Sequence, residues 1–243
     1  MKLRELSILD QQAIPAALEA LHSKEAVVLL QMPAVFVLLA PATQKGVEAL
    51  NQTKLRLPQK NYGTAIGDIQ KFHALAKPGS LPTELDNPED LELLTGAFIR
   101  FAVGRPDFNS AAVRVGTHQG VLVEGPHRDL FKAVEQSFAL QADRALFCGH
   151  AFSAPLCTSA NLSGDLLGSI TDWDRAYRFA NQRQLSLVIR CEPTQENSGS
   201  YPIFYFQGDR ATIERHDPGE EAIKRRLPER LFAGSRETTL IGC

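Results

Sequence analysis

The chain has 243 residues, with 26 Lys and Arg against 28 Asp and Glu, a formal net charge of −2 and 44% apolar residues. That length and balance suffice to bury a core without disulfide or metal staples, and a near-neutral total argues against an autonomous nucleic-acid binder, which carries a basic excess. The four cysteines form no C-x-x-C pair and no zinc spacing, and the longest apolar stretch, residues 26–41, is interrupted by Gln31 and too short to span a bilayer.

Ile14, Ala17, Leu18 and Leu21 recur at helical spacing and predict a helix over residues 11–22. The aliphatic, β-branched runs 26–30 and 35–39 predict buried strands. Thr43 is placed to cap a helix reaching residue 51. Residues 57–67 read as a loop, and residues 77–90, with three prolines and a glycine, as the most loop-like segment. Strands are expected at 97–103, 112–115 and 120–123. Leu130, Phe131, Val134 and Phe138 form a helical stripe. Short strands follow at 144–148 and 156–158. Thr171 or Asp172 caps a helix whose inner face is Trp173, Ala176, Tyr177 and Ala180. A strand at 185–191, a hairpin of 202–206 with 211–215, and a helix over 220–231 complete the pattern. Interspersed strands and helices predict an α/β (α+β) class with one twisted mixed sheet and flanking helices. No Pro/Gly/Ser linker divides the chain, so a single domain is expected over residues 1–233, with a tail at 234–243.

Two strings carry chemistry. Thr158-Ser159-Ala160-Asn161-Leu162-Ser163-Gly164 follows a strand, where α/β folds place ligand groups. Its hydroxyls and backbone N–H groups suit a phosphate cradle, and equally a turn that caps the next helix. Lys54, Arg56 and Lys60 put three cations within seven residues, which fits an anion site, complementation of a helix C-terminus or a solvated basic face. His118, His127 and His150 are isolated histidines, which are more often structural than catalytic. Ser153 and Ser159 lack a G-x-S-x-G frame. No Gly-rich nucleotide loop is present. Asp68, Asp143 and Asp165 are carboxylates that could help hold Mg²⁺, though no spacing singles them out.

Taken together, Lys54-x-Arg56 and Ser159-x-Asn161 resemble the K-x-R…S-x-N signature of the YrdC-like family of threonylcarbamoyl-AMP synthases and their relatives. Pro155 through Gly164 is similar to the family's P-x-x-x-T-S-A-N-x-S-G, and Lys54 through Lys60 to its K-x-R-P-x-x-K, with Leu57 in place of proline. Ala112-Val113-Arg114-Val115 followed by His118 resembles V-A-V-R-V-P-x-H, and Arg215 ahead of Pro218-Gly219 resembles R-x-G. The resemblance implies a YrdC-like sheet around a concave basic cavity. It also implies a reaction of ATP, bicarbonate and an amino acid, threonine in the family, to a carbamoyl-type adenylate and pyrophosphate, with Mg²⁺ on the phosphates. The product serves tRNA threonylcarbamoyladenosine modification.

In that reading Lys54, Arg56, Ser159 and Asn161 are catalytic, acting by positioning and charge neutralisation. Lys60, Thr158, Ser200 and Arg215 complete the phosphate site, and Arg114, Met32 and Phe36 adjoin the substrate. The family's P-T-[DE]-T-x-Y-G-L stretch corresponds to residues 31–38, where its hydroxyls, acid and tyrosine are absent. This departure keeps a rival open, a non-catalytic YrdC-like protein that holds nucleotide or RNA. Expected partners are ATP, bicarbonate and a small amino-acid-like acceptor, in the cytoplasm. Tight tRNA binding is not expected, because it would need counterion release by many cationic contacts.

Overall fold

The structure is a computed structural model that describes residues 3–55, 61–191 and 199–233. In chain order its elements are β1 (Arg4–Ser7), α1 (Ala13–His22), β2 (Val28–Gln31), β3 (Phe36–Ala40), α2 (Gln44–Lys54), β4 (Gly63–Ala65), α3 (Ile69–His73), β5 (Ala97–Ala102) and β6 (Thr117–Leu122). They continue with α4 (Pro126–Ser137), β7 (Leu156–Ser159), α5 (Trp173–Gln182), β8 (Leu187–Arg190), β9 (Ile203–Phe206), β10 (Ala211–Arg215) and α6 (Glu220–Lys224). The strands form one sheet in the order β1-β8-β2-β3-β7-β4-β6-β5-β9-β10. Pairing is mixed: β2 runs parallel to β8 and antiparallel to β3, while β7 is antiparallel to both of its neighbours.

Side-chain alternation explains the long apolar runs. Along β2 and β3, Leu29, Leu38 and Ala40 enter one core, and Val28, Leu30, Val37 and Leu39 enter the core on the opposite face. Strands covered on both faces need apolar residues at every position. α1 and α4 cover the second face and pack against each other. α2, α3 and α5 bury residues in the first. Thr43 caps α2 as expected, its hydroxyl accepting the Gly46 N–H at 3.1 Å, and Asp172 caps α5 through the Arg175 N–H at 2.9 Å. Each satisfies an amide that a helix start otherwise leaves unpaired.

Several segments depart from the expected pattern. Residues 112–115 do not form a strand; they enter a tight turn with an isolated Arg114–Thr117 bridge. Gly116 there has φ +68°, and a Cβ on it would lie 2.3 Å from the Arg105 carbonyl oxygen, so the turn admits only glycine. Residues Arg144–Phe147 form a 3₁₀ turn capped by Asp143, not a strand. The loop at 77–90 contains the 3₁₀ turn Thr83–Leu85 and leads into another at Pro88–Leu94. The final helix stops at Lys224 and resumes as the 3₁₀ turn Glu229–Phe232, since Pro228 disfavours helical geometry at the residue before it. On α5, Tyr177, expected on the inner face, is exposed, and Phe179 is buried there instead. β1 and β4 were not legible as strands. The expected tail at 234–243 lies outside the described residues.

Candidate functional site

Lys54 and the Ser-x-Asn turn meet although more than a hundred residues separate them. Lys54 is the last residue of α2, whose C-cap Leu55 is left-handed at φ 49°. Its ammonium donates to the Ser159 carbonyl oxygen at 2.5 Å and to Asn161 Oδ1 at 2.7 Å. The Ser159 hydroxyl donates to the same Oδ1 at 2.9 Å. The Ser163 N–H returns to the Lys54 carbonyl at 3.1 Å, satisfying an acceptor that the helix end would otherwise leave open. Lys54 is 3% exposed. Two donors on Oδ1 fix the Asn161 amide orientation and turn its NH₂ group away from Lys54 and Ser159.

Backbone bonds hold this clasp against β3. The Ala160 N–H donates to the Phe36 carbonyl, the Phe36 N–H to Ile170, and the Ile170 N–H to Ala160. Phe36 therefore contributes its backbone. Its side chain lies in the core on one face and that of Met32 in the core on the other, each 1% exposed. The two were expected beside the substrate; their side chains enter the two opposite cores. Cys157, next to the clasp, is an inert buried thiol, pushed up to about 12 by burial against the pull of Lys54.

The remaining residues from the sequence strings scatter. Thr158 sits in β7 opposite Leu38. Arg114 is exposed on its turn. Arg215 donates from Nε and Nη2 to the Tyr201 carbonyl at 2.9 and 2.6 Å, and its guanidinium lies over the Phe98 ring. Its Nε is 3.2 Å from Asp217 Oδ2, an ion pair without hydrogen-bond alignment. Arg215 thus braces the C-terminal hairpin. Arg56, Lys60 and Ser198 lie outside the described residues. His118 is internal: Nδ1 donates to the Ala112 carbonyl at 2.7 Å, so Nε2 accepts from the Thr64 hydroxyl at 2.9 Å. Burial pushes its pKa down to about 4, against the opposing effect of the Ala112 bond. His127, with Nε2 2.9 Å from the Gln31 carbonyl, is lowered by burial too.

A cavity of about 540 Å³ opens between the β2–β3 turn, the starts of β5 and β9, and α6. Pro33, Ala34, Ser200, Tyr201 and Arg226 line it, together with Glu92 and Glu124. One arginine against two glutamates makes this cavity mixed in charge. Ala34 of this wall precedes by two residues Phe36, whose backbone holds the clasp. The Gly199 N–H donates to the Ala34 carbonyl at 3.0 Å. The Ala34 N–H lies 3.4 Å from the Tyr201 hydroxyl, whose pKa burial raises. No group of three His, Cys, Asp or Glu side chains able to hold a metal occurs among the described residues.

Comparison with solved structures identifies this architecture. The chain aligns with P. abyssi Sua5 complexed with L-threonine at a TM-score of 0.64 and 15% identity, covering 94% of this chain and 62% of that one. E. coli YciO aligns at 0.57 and 12% identity, covering 89% and 97%. Full-length HypF, in a phosphate- and nucleotide-bound form, aligns at 0.56 and 16% identity, over 85% of this chain and 29% of that one. The fold is YrdC-like. The chain spans less than two thirds of the length of Sua5. No family model and no curated protein matches the sequence.

Within this YrdC-like fold the sequence strings locate the clasp and touch the cavity at Ser200, Pro218 and Gly219. Glu92, Glu124 and Arg226 belong to no motif. They come together through the pairing of β5 with β6 and β9, and a one-dimensional spacing rule has no means of finding them. No helix among the described residues is long and apolar enough to cross a membrane.

Proposed function

We propose that this protein is a threonylcarbamoyl-AMP synthase-type nucleotidyltransferase, which joins ATP, bicarbonate and an amino acid into a carbamoyl-type adenylate. The observation that carries this reading is the clasp, in which Lys54 is held on Ser159 and Asn161. In the proposed reaction the amino-acid nitrogen attacks bicarbonate carbon and water leaves, giving an N-carboxylate. A carboxylate oxygen then attacks the α-phosphorus of ATP and pyrophosphate departs.

In this proposal the matched residues take different parts. Lys54 is a positioning residue, buried and bonded to the Ser-x-Asn turn it shapes. With Oδ1 held by two donors, Asn161 has its NH₂ group to offer an anionic oxygen. The Lys54 charge behind it adds electrostatic stabilisation that a low-dielectric setting strengthens. Arg56, as a bidentate anion ligand, remains part of the proposal from the sequence.

A second reading is favoured by one observation. Where the family resemblance calls for hydroxyls, an acid and a tyrosine, this chain has Pro33, Ala34 and a core-buried Phe36. That suits a protein which binds nucleotide without transferring it. Incubation with ATP, Mg²⁺, bicarbonate and an amino-acid panel, followed by mass spectrometry, decides between them. An adenylate with matching pyrophosphate supports the enzyme. ATP binding without either product supports the second reading, and no ATP binding at millimolar nucleotide removes both.

A further inference from the structure

Glu135 is a buried carboxyl that neither the clasp nor the cavity uses. Its side chain, on α4, is 1% exposed and meets the turn that leads from β4 into α3. Gly67 of that turn lies so close to α4 that a Cβ on it would fall 2.5 Å from the Lys132 backbone nitrogen. Asp68 follows and caps α3, accepting the Gln70 and Lys71 N–H groups at 3.0 and 3.3 Å. The Asp68 N–H in turn donates to Glu135 Oε2 at 3.0 Å. Glu135 Oε1 is buried without a hydrogen-bond partner, and the half-exposed Lys71 ammonium stands 3.6 Å from it. An ionised carboxylate here leaves one oxygen with neither donor nor water, which is costly. The charged groups that face it are Lys71 and Asp68. The segment before β7 presents only the neutral Ser153 hydroxyl, donated to the Glu135 carbonyl at 2.8 Å. α1 also packs on α4, but its His22 meets Ser137 at 2.9 Å and its Glu19 is exposed.

We propose that Glu135 is a proton-operated latch, which in its neutral form closes the β4–α3 turn onto α4 and on losing its proton lets that turn open to water. Burial favours the neutral form and raises the pKa from 4.5 to about 7; Lys71 and the Asp68 N–H pull the other way, and the Asp68 charge adds to the rise. Opening returns the carboxyl to its ordinary value. The closed turn therefore holds the proton more tightly, and its closure weakens as pH rises through 7. The turn has room to move, because residues 67–70 form one wall of a groove of about 330 Å³ that Arg128 and Lys132 also line. The opening is local, limited to the start of α3, and independent of the nucleotide reading.

Amide hydrogen exchange followed by NMR, each rate divided by its intrinsic value at the same pH, tests the latch. Protection of the Asp68 N–H, and of the Phe72 N–H bonded to the Asp68 carbonyl, is expected to fall about tenfold between pH 6 and pH 8.5. The Ala176 N–H of α5, bonded to the Asp172 carbonyl, should keep its protection over the same range. Glu135→Gln retains an acceptor for the Asp68 N–H and cannot ionise, so protection in that variant should not change with pH. The Glu135 carboxyl carbon gives a second readout, which a merely structural role would not move. Lys71→Ala removes the opposing cation and should shift its titration midpoint upward. Asp68→Asn keeps a capping oxygen, removes the adjacent negative charge and should shift the midpoint downward. A carboxyl titrating near 4.5, protection at Asp68 that is flat with pH in the parent, or equal loss at Ala176 would overturn the proposal. So would a midpoint that neither charge variant moves.

Discussion

The clasp and the cavity are opposite in character. In the clasp, Lys54, Ser159 and Asn161 bond to one another, and the most motif-like residue, Lys54, is among the most buried. In the cavity, Glu124 and Arg226 face open space and belong to no motif. The difference teaches that a matched signature residue need not be the group that meets the ligand. A cation can serve by shaping the loop that does.

The sharpest way to break this contrast is to remove Lys54. Lys54→Ala takes away two charge-assisted hydrogen bonds and leaves a void, and is expected to cost about 3 kcal/mol in urea unfolding. A loss near zero would mean that the amine is solvated and that the clasp does not hold the loop.

A second test uses pH, because His118 is another motif-matched residue engaged internally. Its folded-state pKa, about 4, lies below the ordinary 6.5. The unfolded chain therefore takes up the proton first, and stability falls as pH drops from 6.5 toward 4. Glu135 opposes it. Its Oε2 accepts the Asp68 N–H at 3.0 Å and its Oε1 lies 3.6 Å from the Lys71 ammonium, but burial outweighs that cation and raises the pKa from 4.5 to about 7. The folded state then holds the Glu135 proton more tightly, a contribution complete below pH 4.5 and lost as pH rises through 7. The two nearly cancel in the parent protein. In Glu135→Gln, with one contribution removed, stability should fall by about 2 kcal/mol between pH 8 and pH 5, measured by denaturant titration. A flat profile in that variant would place His118 in a solvated site.

Asn161→Ala should cost less than Lys54→Ala, about 1.5 kcal/mol, since the ammonium keeps its bond to the Ser159 carbonyl. The same variant should lose adenylate formation if the Asn161 NH₂ group meets an anionic oxygen. Retained activity would reduce Asn161 to a structural acceptor. The smallest stability effect belongs to the cavity: Arg226→Ala and Glu124→Gln should each stay within about 0.5 kcal/mol of the parent, measured by thermal melting. A larger loss would show these side chains engaged in the fold, and the contrast between the two regions would disappear.

Local pattern was enough for α1, α2, α4 and α5, for the doubly buried β2 and β3, and for the β9–β10 hairpin, because a helical stripe, a capping residue or an aliphatic run carries its own periodicity. The nearness of Lys54 to Ser159 and Asn161 was legible only through a family resemblance, since nothing in the spacing of residues 54 and 159 requires contact. Tertiary structure alone decided the rest. β1 is four polar and apolar residues that become a strand by lying beside β8, and β4 is three residues held between β6 and β7. Residues 112–115 and 144–148 carry strand-forming side chains, yet Gly116 turns the first and Asp143 caps the second into a 3₁₀ turn. A sequence names which side chains can donate or accept. Whether Lys54 faces a phosphate or the chain's own carbonyl depends on which acceptors the fold brings within 3 Å, and only packing at long range sets that.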